Sequence, residues 1–197
     1  MPANHHFSQI IDFISYIDQL KSVDRMDGLF DGSRSENTGE HSWHAAISAV
    51  LLSRYTNFPI NLDNVIQMLL IHDLVEIEAG DTFVYDQSGV SQQREAEQQA
   101  ADQVFTRLPD QEAQTLRDLW DEFEARRSPE AKYAKAIDRF LPLYSNLHNG
   151  GFSWQGHCVT QAQVRDVCKI IQDGSDVLWK LAQEMIRQAV EQGFLLP

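Results

Sequence analysis

Cysteine is nearly absent: Cys158 and Cys168 are the only two in 197 residues. Their ten-residue separation matches no zinc or redox spacing, so a reduced, cytoplasmic compartment is expected. Positive charge is scarce too. Sixteen Lys and Arg stand against 29 Asp and Glu, a formal net charge of −13. That argues against a nucleic-acid polymer as partner, because a phosphate backbone demands a basic face. A small phosphorylated substrate is still compatible, since a metal and one or two arginines can neutralise it locally. No apolar run approaches the ~20 residues of a membrane span. The opening Met1-Pro-Ala-Asn-His-His lacks a basic segment followed by an apolar run, so neither membrane insertion nor a secretory signal is expected. Period-two alternation, internal repeats and low-complexity tracts are missing as well.

What is there is helical periodicity. Residues 8–21 place Ile10, Ile11, Ile14 and Ile17 at helical spacing. Residues 22–36 dissolve into Asp, Gly, Ser and Arg, a loop whose most useful residues are Arg25 and Arg34. Asn37 or Thr38, with Glu40 in the first turn, caps a helix that carries His41 early and Ala45, Ala46 and Ala49 later. Asn57-Phe58-Pro59 breaks it. Asn61 or Asp63 then starts a central helix ending near Glu78. Residues 81–89 read as a loop, 91–108 as a polar helix, and Pro109-Asp110 opens another. Ser128 followed by Pro129 caps a helix containing Ile137, Asp138 and Tyr144, which Pro142 is expected to kink or shorten. After an unpatterned stretch from Asn149 to about Thr160, in which Phe152 and Trp154 cover the site or pack as a lid, helices are expected over 161–172 and 176–192. The apolar face of the last one (Val177, Leu178, Trp179, Leu181, Met185, Ile186) either completes the core or supports a homodimer. The expectation is an all-α chain of seven or eight helices.

Residues 66–81 organise the rest. An adjacent His72-Asp73 pair interrupts an oily helix, and burying an imidazole and a carboxylate there is costly unless something such as a metal ion compensates. Glu76 shares their side of the helix, Gly80 fits the helix stop, and Asp81 follows at the rim. With His41 and Asp138 the set offers two imidazoles and two carboxylates, a borderline group suited to Mn, Fe, Co, Ni or Zn rather than Ca. Each has a plainer reading. Asp138 could pair with Lys135 or Arg139, His41 could be an exposed first-turn residue, and His72 could be a buried histidine oriented by its neighbour. His44, one turn from His41, is read as a packed or solvated histidine, and His148 and His157 carry less weight.

An isolated His, a His-Asp pair and a distant Asp, all on helices, resemble the HD superfamily of metal-dependent phosphohydrolases. The run Arg34-Ser-Glu-Asn-Thr-Gly-Glu-His41-Ser42 and the later run from His72 through Glu76 to Gly80-Asp81 resemble its 5′-deoxynucleotidase branch. So does the segment from Ser128 to Asp138. The likeness spans about residues 8–147, implying one HD domain over 1–197 whose core is 8–147, with 148–197 adding a loop and C-terminal helices. The resemblance implies His41, His72, Asp73 and Asp138 as metal ligands, and Glu76 as the carboxylate handling the proton of the attacking water. It implies Asp81 as the sugar reader, and Arg25, with Arg34 as runner-up, as phosphate binder. In that branch an aromatic residue follows the loop arginine and packs on the substrate; here Met26 follows Arg25, and Leu29-Phe30 comes later. The implied activity is a phosphomonoesterase acting on (deoxy)nucleoside 5′-monophosphates. The alternatives are a hydrolase of another small phosphate ester, phosphodiester or polyphosphate, and a metal-binding regulatory module without turnover.

Overall fold

The computed structural model describes residues 2–85 and 90–197, with side chains for 5–85 and 94–197. The helices are α1 (Pro2–Ile17), α2 (Thr38–Leu52), α3 (Leu62–Ile71), α4 (Glu76–Ala79), α5 (Val90–Phe105), α6 (Asp110–Ala125), α7 (Pro129–His148), α8 (Phe152–Gly156), α9 (Gln161–Cys168), α10 (Ile171–Gly174) and α11 (Asp176–Glu191). Among the described residues eight of these have eight or more residues, as the periodicity predicts. The helical signals at their starts are real. Asn37, rather than Thr38, caps α2: its side chain accepts from Glu40 N at 3.0 Å while Glu40 Oε2 accepts from Asn37 N at 3.1 Å. Ser128 caps α7 by accepting from Ala131 N at 3.1 Å, with Pro129 in the first turn.

Four local expectations are corrected. The loop over 22–36 contains a two-stranded antiparallel hairpin, β1 (Asp24–Gly28) and β2 (Ser35–Asn37), pairing Asp24 with Asn37 and Gly28 with Ser35. Its inward-facing side chains include Arg25 and Asp27, so the strand has no apolar alternation to reveal it. The central helix does not run to Glu78: it stops at Ile71, and residues 72–75 form turns bonded three residues back, Leu74 N to Ile71 O and Glu76 N to Asp73 O, both 3.0 Å. Pro142 leaves α7 unshortened. The helix expected over 161–172 is split into α9 and α10. The loop expected over 81–89 is described to Tyr85; residues 86–89 lie outside the described residues.

Two apolar clusters make the interior. The larger joins α2, α3 and α7 to the C-terminal helices through Ala45, Met68, Leu69, Ile137, Trp154 and Ile186. The smaller joins α1, α5 and α6 through Phe13, Val104, Phe105 and Trp120, and also takes Ile71, Leu74 and Val75. The segment 65–75 thus serves both cores, and its polar pair His72-Asp73 falls on the seam between them. α7 approaches the C-terminal helices closely: a Cβ at Gly174 would lie 2.5 Å from Lys132 O and 2.7 Å from Ala136 Cβ. Trp154 is buried in the main core, whereas Phe152 is partly exposed and lies over Gly28. On α11, Leu178, Trp179, Met185 and Ile186 go into the core, leaving Val177 and Leu181 exposed.

Candidate metal centre

Three elements bring the polar residues of the seam together. His41 comes from the first turns of α2, His72 and Asp73 from the turn after α3, and Asp138 from the middle of α7. His41 Nε2 is 3.2 Å from Asp138 Oδ1; His72 Nε2 is 3.4 Å from the same oxygen and 3.0 Å from Asp73 Oδ2. His41, His72 and Asp73 each present a ligand atom within 4.8 Å of the others. Both histidines and Asp138 are buried.

The donor chemistry fits a divalent cation. His72 gives its Nδ1–H to the carbonyl of Leu69 at 3.0 Å, which leaves Nε2 to face the cage. That nitrogen is buried and forms no hydrogen bond, although two carboxylate oxygens stand beside it. Close oxygens out of hydrogen-bonding direction around an orphaned imidazole nitrogen are what a shared cation would satisfy. Trp120 Nε1 donates to the His72 carbonyl at 3.0 Å, fixing the turn from behind. Asp138 carries its plainer reading as well: Lys135 Nζ lies 3.1 Å from its Oδ2, with Arg139 Nε at 3.9 Å.

The electrostatics follow from that crowding. Burial pulls the His72 imidazole down, but Asp73 and Asp138 outweigh it and push it up to about 10. Burial works to raise Asp138; Lys135 and Arg139 hold it well below the usual carboxylate range. Burial would likewise raise Asp73, yet His72 and Arg25 keep it low. Glu76 goes the other way, raised to about 9 by burial and by the Asp73 and Asp81 charges.

Glu76 sits in the first turn of α4, beside the cage. Thr38 Oγ1 stands 2.8 Å from Glu76 Oε2 and 3.2 Å from Val23 O; its single proton is better placed for the carboxylate. Gly80 ends α4 at φ 74°, returning its N–H to Glu76 O at 2.8 Å. This turns the chain so that Asp81 accepts from Met26 N at 2.9 Å. Arg25, buried on β1, donates through one terminal nitrogen to Asp73 Oδ2 at 2.8 Å and lies 3.8 Å from Glu76 Oε1. Arg34 is elsewhere: it makes a fork with Glu40, at 2.8 and 2.6 Å, and ties its loop to α2.

A cavity of about 380 Å³ opens beside the cage, lined by Arg25, Met26, Asp73, Glu76 and Asp81 among others. Leu29 and Phe30 face a different hollow, with Trp43 and His44. The aromatic rings lining the main cavity are Phe83 and Tyr85, from the loop after Asp81, and Trp120. Sequence reasoning did not find Thr38, read only as a possible cap, or Glu36, whose Oε2 lies 3.4 Å from His41 Nδ1. It noticed Arg139 only as a partner for Asp138. None of these carries a sequence signal beyond its place beside a motif residue.

With this geometry in view, the chain belongs to the HD-domain family, whose profile matches residues 17–179. Among individual proteins it is similar to human 5′-deoxynucleotidase HDDC2, 27% identical over 138 residues covering 70% of this chain and 66% of that one. It is also similar to the Schizosaccharomyces pombe 5′-deoxynucleotidase hdd1, 23% identical, covering 79% of this chain and 85% of the yeast protein. The chain therefore matches slightly less than two-thirds of the human protein's length. A crystal structure of a predicted metal-dependent phosphohydrolase from Magnetospirillum magnetotacticum MS-1 is 40% identical, with a TM-score of 0.93, 98% of this chain covered and 96% of that one. The expected likeness to the HD superfamily and its 5′-deoxynucleotidase branch is borne out. Among the described residues no helix is long and apolar enough to cross a membrane.

Proposed function

We propose that the protein is a metal-dependent phosphomonoesterase releasing phosphate from nucleoside 5′-monophosphates, with deoxy forms preferred. The observation that carries the reading is the buried His72 Nε2, without a hydrogen bond, among His41, Asp73 and Asp138 beside a cavity that also holds Glu76 and Asp81. His41, His72, Asp73 and Asp138 would hold one divalent transition ion from the group Mn, Fe, Co, Ni and Zn. Such an ion makes water a usable nucleophile at neutral pH and offsets negative charge on a phosphate.

The rest is the work of side chains. Glu76 Oε2 is held by Thr38, so the other carboxylate oxygen is available to take the proton of the attacking water and return it to the departing sugar oxygen. Its raised proton affinity comes first from burial and then from the Asp73 charge; a cation next to Asp73 would weaken the second of these and lower it. Arg25 keeps Asp73 and Glu76 in position and spreads their charge. Asp81, fixed by Met26 N at the cavity, would read the sugar by disfavouring a 2′-hydroxyl. Phe83 and Tyr85 offer the apolar wall that the residue after Arg25 does not supply.

Phosphate release from paired deoxy and ribo monophosphates, with Mn or Co added and then chelated, tests this. Release that needs the ion and favours the deoxy form is expected. Preference for a sugar phosphate or a phosphodiester would replace the substrate; tight nucleotide binding without release from any compound would make the chain a binding module.

A further inference from the structure

We propose that Arg139, on α7 directly after Asp138, grips the substrate's phosphate. This rests on the phosphohydrolase reading above and names a side chain that it leaves unassigned. Among the described residues three basic side chains come within 3.9 Å of a cage carboxylate, and two of them make close ion pairs there. Arg25 donates to Asp73 at 2.8 Å. Lys135 Nζ is 3.1 Å from Asp138 Oδ2, 3.8 Å from Glu124, and lies over the Phe123 ring at 4.3 Å. The Arg139 side chain makes no hydrogen bond among the described residues; the acidic oxygen it approaches, Asp138 Oδ2, is 3.9 Å from Nε. Yet it lines the same cavity as Arg25, Asp73 and Glu76, with 25% of its side chain exposed.

A guanidinium in such a place has five N–H donors and almost nothing to give them to. Its neighbours do not supply an anion. The Cys168 thiol is pushed up to about 12 by burial and stays neutral. Asp27 Oδ1 already accepts from Asn146 Nδ2 and Ser153 Oγ, both at 2.9 Å. Pro142 and Leu143, on the next turn, are apolar walls of the cavity. Asp138 and, after it, Asp73 are the carboxylates whose charge compensates Arg139, and a divalent ion would share both. Arg139 is then left as a largely desolvated cation one residue from a metal ligand, with its planar fork matched to two phosphate oxygens. Of the two arginines singled out from sequence, Arg34 is committed to Glu40, whereas Arg25 gives one terminal nitrogen to Asp73 and keeps a buried Nε without a partner, so Arg139 acts beside Arg25 in the same cavity.

The experiment is calorimetric titration of inorganic phosphate into Mn-loaded protein, for the wild type, Arg139→Gln and Arg139→Lys, with metal content and thermal unfolding measured alongside. Arg139→Gln is expected to keep its metal and its fold and to bind phosphate roughly 10- to 100-fold more weakly, the loss of charge-assisted hydrogen bonds. Arg139→Lys, which keeps the charge but not the fork, should fold in any case and fall between the two. In turnover assays the loss should appear largely in KM. Phosphate binding that is undetectable in the wild type, or unchanged in both variants, overturns the assignment. Arg139-dependent phosphate binding by a wild type that hydrolyses no nucleotide supports it while refuting the hydrolase reading.

Discussion

His41 and Asp138 lie 97 positions apart in sequence and 3.2 Å apart in space, between Nε2 and Oδ1. The contact closes α2 against α7 beside the seam of the two cores, with His72 supplying the third side. Replacing Asp138 therefore removes a ligand and leaves Lys135 and Arg139 without their shared anion. Asp138→Ala is expected to lose metal on dialysis and to unfold at lower temperature than the wild type. An ion-stoichiometry measurement that finds Asp138→Ala fully loaded would contradict the ligand assignment.

Glu76 is placed beside the cage without belonging to the ligand set. Glu76→Gln is expected to keep full metal content while turnover falls by roughly 10²–10⁴-fold, the usual contribution of a positioned general base. Elemental analysis and initial rates on the same sample separate the two effects. Thr38→Val should give a smaller loss, since it frees Glu76 Oε2 rather than removing it.

Metal binding should displace protons. In the ion-free protein His72 is pushed up to about 10, so at pH 7 its imidazole is protonated, and it must be neutral to bind a cation. Calorimetry in two buffers of different ionisation enthalpy should report net proton release, and apparent metal affinity should climb between pH 6 and pH 8 by about tenfold per unit for each proton displaced. The sign for the ion-free fold is opposite. A raised imidazole contributes stability that is fully present below its ordinary value of 6.5 and is lost as pH rises through about 10. Affinity independent of pH would mean that His72 is not among the ligands.

Two structural predictions concern the frame. Trp120→Phe removes the 3.0 Å donor to the His72 carbonyl and leaves a buried acceptor unpaired, at about 1–3 kcal/mol. Thermal unfolding should show the loss, and metal affinity should weaken with it. Gly174→Ala would drive a methyl to within 2.5 Å of Lys132 O and 2.7 Å of Ala136 Cβ, so α10 must move off α7, costing about 1–3 kcal/mol or more. An unchanged unfolding temperature would mean that the two helices yield freely.

Much of this frame is legible in the sequence because it rests on local signals. The caps at Asn37 and Ser128, the stop at Gly80 and the apolar spacing of α11 are written in a few adjacent residues each. The β1–β2 hairpin is not, because Arg25 and Asp27 occupy its inward positions. Nor is the break after Ile71: Leu74 and Val75 keep helical spacing, and only the tighter turn shows that the chain has left α3. Residues such as Thr38 and Arg139 act through neighbours brought by other elements, so their own surroundings in the chain say nothing about them.

The most direct test is the position of the ion itself. Crystals grown with Co or Mn, measured at the absorption edge of that metal, should show one anomalous peak bounded by His41 Nε2, His72 Nε2, Asp73 and Asp138, with Glu76 beside it and outside the ligand set. A peak held by other residues, or none between these four side chains at saturating metal, would contradict the account.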